Sequence, residues 1–288
     1  MIKAVSHITT RWWSRILLFF LLWFLFSNVE YSIYTEFFPW LSCIAASLLT
    51  EYLRLGRSVV GLGLALKKET FWREIFWGAA VTFVGLGAIL LIAVVLGARF
   101  KSAAVPFGID VFGLLFFKML VLASGEEFLF RGIMFQAVVE RFKAPLAVVL
   151  STIIFIYGHQ GNPGATTISS INIALANLLF CAMYLSTGSL WPSISFHFSW
   201  NFTQALFGLP VSGLNFGRSF LKMDIWRIPE NMRWLVATNE FGIESGFLTV
   251  LFLIVTILIF PRFIKTSAFA SARVFKRRML EAEFTAKI

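Results

Sequence analysis

Two adjacent carboxylates and an arginine, Glu126, Glu127 and Arg131, stand in a stretch of sequence that is otherwise apolar enough to lie in a bilayer. An acid at the centre of a spanning helix costs about 2.5–3.5 kcal/mol, so such residues usually line a cavity, pair or do chemistry. On an α-helix Glu127 and Arg131 face each other, whereas Glu126 is turned about 100° away. This spacing predicts a structural ion pair between Glu127 and Arg131 and leaves Glu126 free for proton transfer. The alternative is a helix end at the cytoplasmic surface, where all three residues are simply solvated.

Two of the three histidines also fall in or at the edge of apolar stretches, His159 at the end of one and His197 inside another. A single histidine on an apolar helix is more often structural than catalytic. His197 is followed four residues later by Asn201, so an imidazole and a carboxamide project from one helix face. Two hydrogen-bond donors at that separation suit a developing oxyanion. His7 lies in a polar N-terminal stretch and is expected to have no special role.

The elements that must position these residues are apolar helices. Hydrophobic residues make up 58% of the chain and charged residues only 14%, a composition that excludes an ordinary soluble domain. Apolar stretches long enough to approach or reach the width of a bilayer predict about eight spans. We therefore expect an all-α fold, a polytopic membrane helix bundle with a polar cavity among its central helices. The predicted spans are 12–28, 37–52, 75–98, 109–124, 145–157, 166–186, 191–207 and 245–260.

Basic residues predict the orientation of this bundle, because loops rich in Lys and Arg stay cytoplasmic. An even number of spans puts both termini on the cytoplasmic side, with Arg99, Lys101 and the segment 207–244 outside. The net charge of +10 is read as contact with anionic lipid headgroups rather than with nucleic acid. Cys43 and Cys181 are expected to be buried free thiols. The basic residues used here are Lys3, Arg11, Arg15, Arg54, Arg57, Lys67, Lys68, Arg73, Arg262, Lys265, Arg273, Lys276, Arg277 and Arg278.

Glu126-Glu127-x-x-x-Arg131, Phe155-x-x-x-His159 and His197-x-x-x-Asn201, in this order, resemble the CPBP family of CAAX proteases and bacteriocin-processing enzymes, which is related to type II CAAX prenyl endopeptidases. The resemblance covers about residues 109–210. It implies an intramembrane glutamic endopeptidase without a cofactor, in a multi-pass protein of a bacterial inner membrane. It also implies that Glu126 and His159 activate a water, while His197 and Asn201 stabilise the tetrahedral intermediate.

The resemblance leaves the substrate open within the class of membrane-associated peptides and proteins, because eukaryotic relatives cut prenylated tails and many bacterial ones do not. It divides the chain into N-terminal helices at 1–105, a catalytic core at 106–213 and a C-terminal part at 214–288. The glycine-containing stretch 207–213 is expected to form a loop near the site entrance. An ordinary turn after a helix would give the same pattern.

Three other interpretations remain open from the residues alone. Two histidines and a glutamate could hold zinc with an open fourth position, although the sequence lacks His-Glu-x-x-His. A proton-coupled transporter would also use intramembrane acids and histidines, and Lys118 and Asp110 would fit it. No inverted repeat supports that reading. A catalytically silent membrane scaffold is the third possibility.

Overall fold

The structure is a computed structural model, and it describes residues 11–27, 38–54, 60–64, 68–102, 108–238 and 240–263. The predictions for the N-terminal stretch, for part of the basic clusters and for the basic tail 271–288 lie outside the described residues. They concern Lys3, His7, Arg57, Lys67, Lys265, Arg273, Lys276, Arg277 and Arg278.

Helices occupy all the apolar stretches that the sequence predicted to be spans. They are α1 (Trp12–Ser27), α2 (Phe38–Arg54), α3 (Lys68–Val95), α4 (Ile109–Glu127), α5 (Gln136–Phe142), α6 (Ala144–His159), α7 (Thr167–Thr187), α8 (Trp191–Leu206), α9 (Glu230–Arg233) and α10 (Phe247–Phe263). A π-helix, Phe128–Phe135, joins α4 to α5 without a break. Short 3-10 turns lie at Val60–Leu62, Ile225–Arg227 and Gly242–Ser245.

Two of the described helices are long and apolar enough to cross a membrane, Thr70–Val95 within α3 and Thr167–Thr187, which is α7. Other apolar helices, such as α1 and α6 with 16 residues each, fall below the roughly 20 residues that a straight crossing needs. The helices carry large apolar side chains on their outer faces, and Leu91, Val95 and Leu258 are each more than 60% exposed. This surface fits a helical membrane bundle. The number of eight spans stays a prediction.

α8 is the central helix of the site. It packs along α3 on one side and along α4 on another, while α7 packs against α6 and α10. The approach of α3 to α8 depends on Gly78, since an added Cβ there would lie 2.6 Å from the carbonyl oxygen of Pro192. α7 begins with a capping box formed by Thr166 and Ser169 and ends at Gly188, which has a left-handed φ of 63°. The short turn after Gly188 lets α7 and α8 meet beside each other.

A two-stranded sheet lies outside the helices, where the all-α expectation had none. β1 (Arg99–Ser102) pairs antiparallel with β2 (Leu221–Asp224). Lys101 Nζ lies 2.7 Å from the Asp224 carboxylate across the pair. The sheet therefore ties the connection after α3 to the long segment after α8, and the sequence interpretation missed it because strands of four residues carry almost no periodic signal.

Arg15 corrects part of the charge interpretation. It was counted among the basic residues that predict the orientation of the bundle, but it lies within α1 and is completely buried. Its guanidinium lies 3.0 Å from the buried carboxylate of Glu51 and 3.1 Å from that of Glu140. It also donates to the carbonyl oxygen of Gly132, at 3.0 Å. Arg15 therefore links α1 and α2 to the π-helix and is not a solvent-exposed topology signal.

Candidate active site

The junction of α4 and the π-helix places the acidic pair and the arginine inside the bundle. Glu126 is 7% exposed, and Glu127 and Arg131 are fully buried. The interpretation of these residues as a solvated helix end is therefore wrong. A π-helix has i→i+5 hydrogen bonds and is uncommon beyond a single turn, and such segments often occur at functional sites.

Glu127 contacts both Arg131 and His197 in the buried polar cluster. Its Oε1 accepts a hydrogen bond from Arg131 at 3.0 Å, which is the pair that the sequence spacing predicted. The same oxygen accepts a second bond from Nδ1 of His197 on α8, at 3.1 Å. The sequence interpretation missed this second contact, which connects the two motifs directly.

Glu126 is held beside the cluster and not within it. Its Oε2 is buried and has no hydrogen-bond partner among the described residues. Nε2 of His197 lies 3.9 Å from this oxygen. This distance is too long for a direct hydrogen bond and suits a bridging water. Glu126 is thus a buried carboxylate with an unused acceptor facing an imidazole.

Arg131 is surrounded by aromatic rings. Its guanidinium carbon lies 5.1 Å from the ring centroid of Phe155 and 4.9 Å from that of Phe180. Its terminal nitrogen also donates to Oδ1 of Asn177 on α7, at 2.6 Å. Phe180 in turn stacks on the His197 ring, with the centroids 4.9 Å apart. The arginine is therefore fixed by one carboxylate, one amide and desolvated cation–π contacts.

His159 lies in the last turn of α6 and is partly exposed. Its Nδ1 donates to the carbonyl oxygen of Phe155, at 2.7 Å, and its ring packs on the Phe155 ring with the centroids 4.7 Å apart. A neutral imidazole that donates through Nδ1 keeps a lone pair on Nε2. His159 is therefore built to accept a proton or a hydrogen bond through Nε2.

Three of the four predicted catalytic residues line one cavity, whose empty space is about 430 Å³ with open solvent included. These are His159, His197 and Asn201; Glu126 does not line it but reaches toward it through His197. The other lining residues are Phe155, Asn172, Ile173, Ala176, Phe180, Phe196, Trp200, Ser212, Glu244, Thr249 and Leu253.

Sequence reasoning overlooked two polar residues of this region, Asn177 and Glu244. Asn177 could have been found as a carboxamide in the middle of an apolar stretch, where polar groups need partners. Glu244 was included in the predicted outside segment 207–244, but it is only 5% exposed. The sequence interpretation did not foresee that the chain folds back and buries this carboxylate against α8.

The loop 207–213 was expected near the site entrance, and its residues lie between two cavities. Ser212 lines the site cavity, whereas Pro210 and Gly213 line an outer pocket. Ser212 has a φ of 48°, which is uncommon for a residue other than glycine. Asn162, just after His159, donates to the Ser212 carbonyl oxygen at 2.8 Å. This position suits a loop that limits access to the site cavity.

The same residues were also considered as zinc ligands. In the part of the chain that the structure describes, no group of three or more His, Cys, Asp or Glu side chains is arranged to hold a metal ion. Cys43 and Cys181 are buried and free, as predicted. The described donors and acceptors can instead hold a water between a carboxylate and an imidazole.

Comparison with known proteins agrees with the three motifs. Residues 108–203 match the family model described as type II CAAX prenyl endopeptidase Rce1-like. This segment runs from the start of α4 to within α8 and contains Glu126, His159, His197 and Asn201. No curated protein and no solved structure matched the chain.

Proposed function

We propose that this chain, whose residues 108–203 form an Rce1-like domain of the CAAX protease family, is an intramembrane glutamic endopeptidase. Members of that family are membrane proteins and proteases. The observation that carries the glutamate mechanism is the unpartnered Oε2 of Glu126, 3.9 Å from Nε2 of His197, which lines the cavity.

The first step is activation of a water. A water held between Glu126 and the imidazoles gives its proton to the Glu126 carboxylate as its oxygen attacks the peptide carbonyl carbon. His159 assists through the lone pair on Nε2, because its Nδ1 is already engaged with the Phe155 carbonyl. The protonated Glu126 then returns the proton to the leaving amine when the carbon–nitrogen bond breaks.

The second requirement is stabilisation of the oxyanion. A protonated imidazole donates through both nitrogens, so His197 can donate to Glu127 through Nδ1 and still present an N–H at Nε2. Asn201 lies one helical turn further along α8 and lines the same cavity. Its amide supplies the second donor. Preorganised donors of this kind are often the largest single contribution to acyl-transfer catalysis.

Glu127 and Arg131 act on this chemistry as positioning residues. Arg131 fixes the Glu127 carboxylate, and Glu127 sets the orientation of the His197 ring. Carboxylates that orient a catalytic imidazole in this manner occur in other acyl-transfer enzymes.

The proposed setting is a multi-pass protein of a bacterial inner membrane with about eight spans. Both termini are cytoplasmic, and basic residues contact anionic headgroups. The substrate is a membrane-associated peptide or protein, cut near its C-terminus or within the chain. The apolar cavity wall is compatible with substrates with or without a lipid chain.

The test is cleavage of membrane-protein and peptide substrates by the purified full-length chain in liposomes. Glu126→Gln, which keeps the size of the side chain, should abolish cleavage and leave folding unchanged. Glu230→Gln, at an exposed acid, is the matched control and should retain full activity. Full activity of Glu126→Gln contradicts the proposal. Activity that chelation removes together with bound zinc, and that zinc restores, contradicts the metal-free mechanism.

A further inference from the structure

Glu244 is a buried carboxylate that the proposed mechanism does not use. It lies in the 3-10 turn Gly242–Ser245 and lines the same cavity as the two histidines. Its Oε1 accepts from Trp200 Nε1 and from Gln204 Nε2, both at 2.7 Å. Its Oε2 accepts from the Ser212 hydroxyl at 2.6 Å. Trp200 and Gln204 project from α8, so Glu244 is fixed against the helix that carries His197.

All three of these donors are neutral. Within the described part of the chain, no Lys, Arg or His nitrogen is paired with the Glu244 carboxylate. Burial of a carboxylate without a cationic partner costs free energy. The arrangement therefore holds the Glu244 carboxyl group in place with neutral partners alone.

A second acceptor lies beside it. Asn172 is 2% exposed, and its amide nitrogen donates to the backbone oxygens of Glu244 and Gly246, at 2.8 and 3.1 Å. These two bonds fix the orientation of the amide. Oδ1 of Asn172 is buried and has no partner among the described residues. A buried polar atom without a partner calls for a water, an ion or a ligand group.

Much of the cavity wall is apolar, with Ile173, Ala176 and Leu253 among the lining residues. A cavity with acceptors at one place and hydrocarbon around them favours a group with an apolar stem and a donor-rich, positively charged end. Lysine and arginine side chains have this form. The amino group of a chain terminus has the same charge and donor chemistry.

We propose that Glu244 and Asn172 form a cation-recognition subsite within the cavity, which takes an ammonium or guanidinium group of the peptide substrate. This inference rests on the proposed function to the extent that the cavity receives a peptide. It assigns Glu244 a role in substrate specificity, separate from water activation by Glu126.

The experiment measures binding, so it does not require cleavage. Fluorescent apolar peptides, acetylated at the N-terminus and identical except for one Lys or norleucine, are titrated into the full-length protein in nanodiscs. The wild-type protein should bind the Lys peptide about tenfold or more tightly, as expected for one charge-assisted hydrogen bond. A norleucine peptide with a free N-terminal amine distinguishes the terminal amine from the side chain as the source of the cation.

Glu244→Gln should remove the charge-assisted hydrogen bond and with it the preference. The affinities for the Lys and norleucine peptides should then agree within about twofold. Glu230→Gln is the control for loss of an exposed acid and should keep the preference. Equal affinities of the wild-type protein for all three peptides overturn the proposal, as does an unchanged preference in Glu244→Gln.

A chemical measurement covers the case in which Glu244→Gln does not fold. Dicyclohexylcarbodiimide, an apolar reagent for carboxylates, should couple the Lys peptide to Glu244 of the wild-type protein, and mass spectrometry locates the bond. Coupling at Glu126 or Glu230 in place of Glu244 overturns the subsite. Selective binding without cleavage of any substrate contradicts the protease proposal alone, whereas cleavage without a Lys preference contradicts the subsite alone.

Discussion

Replacement of Arg131 by methionine should destabilise the protein strongly, because it removes the cation from a fully buried pair. Glu127 would keep only the His197 bond at 3.1 Å and lose the guanidinium at 3.0 Å. Removal of one partner from a buried ion pair typically costs about 3–5 kcal/mol. Loss of the aromatic contacts of the guanidinium adds up to about 2 kcal/mol. We therefore expect a loss of roughly 4–6 kcal/mol in the free energy of unfolding, the sum of these contributions after partial relaxation.

The assay is denaturant unfolding of the purified protein in mild detergent, followed by tryptophan fluorescence. Arg141→Met changes an exposed arginine and serves as the control, with an expected effect within about 0.5 kcal/mol. The double variant Glu127→Gln/Arg131→Met removes both charges and should be more stable than Arg131→Met alone, because no unpaired carboxylate remains. An Arg131→Met protein as stable as the Arg141→Met control would refute this reasoning.

Three further predictions concern packing, catalysis and the buried network. Gly125→Ala should lower the free energy of unfolding by about 1–3 kcal/mol and reduce activity, because the added methyl group would lie 2.9 Å from Cβ of Trp40. Gly113→Ala on the same helix is the control, since its methyl group meets no described atom within 4 Å. Thermal melting should show that this control is neutral or stabilising. Asn201→Ala should lower kcat by about 10²–10³ in the cleavage assay and leave residual activity, and an unchanged kcat would remove Asn201 from the oxyanion site. Arg15→Met should lower the free energy of unfolding by about 3–5 kcal/mol, since its carboxylate partner on α2 is also fully buried, and an effect below 1 kcal/mol would contradict the assigned burial of this network.

Local spacing predicted the parts of the site that lie on one helix. Glu127 and Arg131 are four residues apart, so their pairing follows from helix geometry and survives in the π-helix. Apolar runs predicted the helices because a long uninterrupted run has few other folded forms in a membrane. The π-helix itself has no comparable local signal in the sequence.

Contacts between distant segments could not be predicted in this way. His197 is 70 residues from Glu127, and nothing in the spacing of either motif says which helices are neighbours. Glu244 is 44 residues from Trp200, and its burial depends on how the segment after α8 folds back. Arg15 looked like a topology charge because its partner Glu51 lies on another helix. In each case the sequence shows the type of residue but does not show which residue it contacts.

Aromatic rings explain why the three motifs form one site. Phe155 packs against the Arg131 guanidinium and against the ring of His159, while Phe180 contacts both the Arg131 guanidinium and the ring of His197. One buried cation therefore supports both histidines through two rings, in addition to the Glu127 bond. Because desolvated guanidinium–ring contacts are attractive and protein interiors are close-packed, a shift of Arg131 would move both imidazoles. The arginine of the first motif thus sets the geometry of the other two without contacting the cavity.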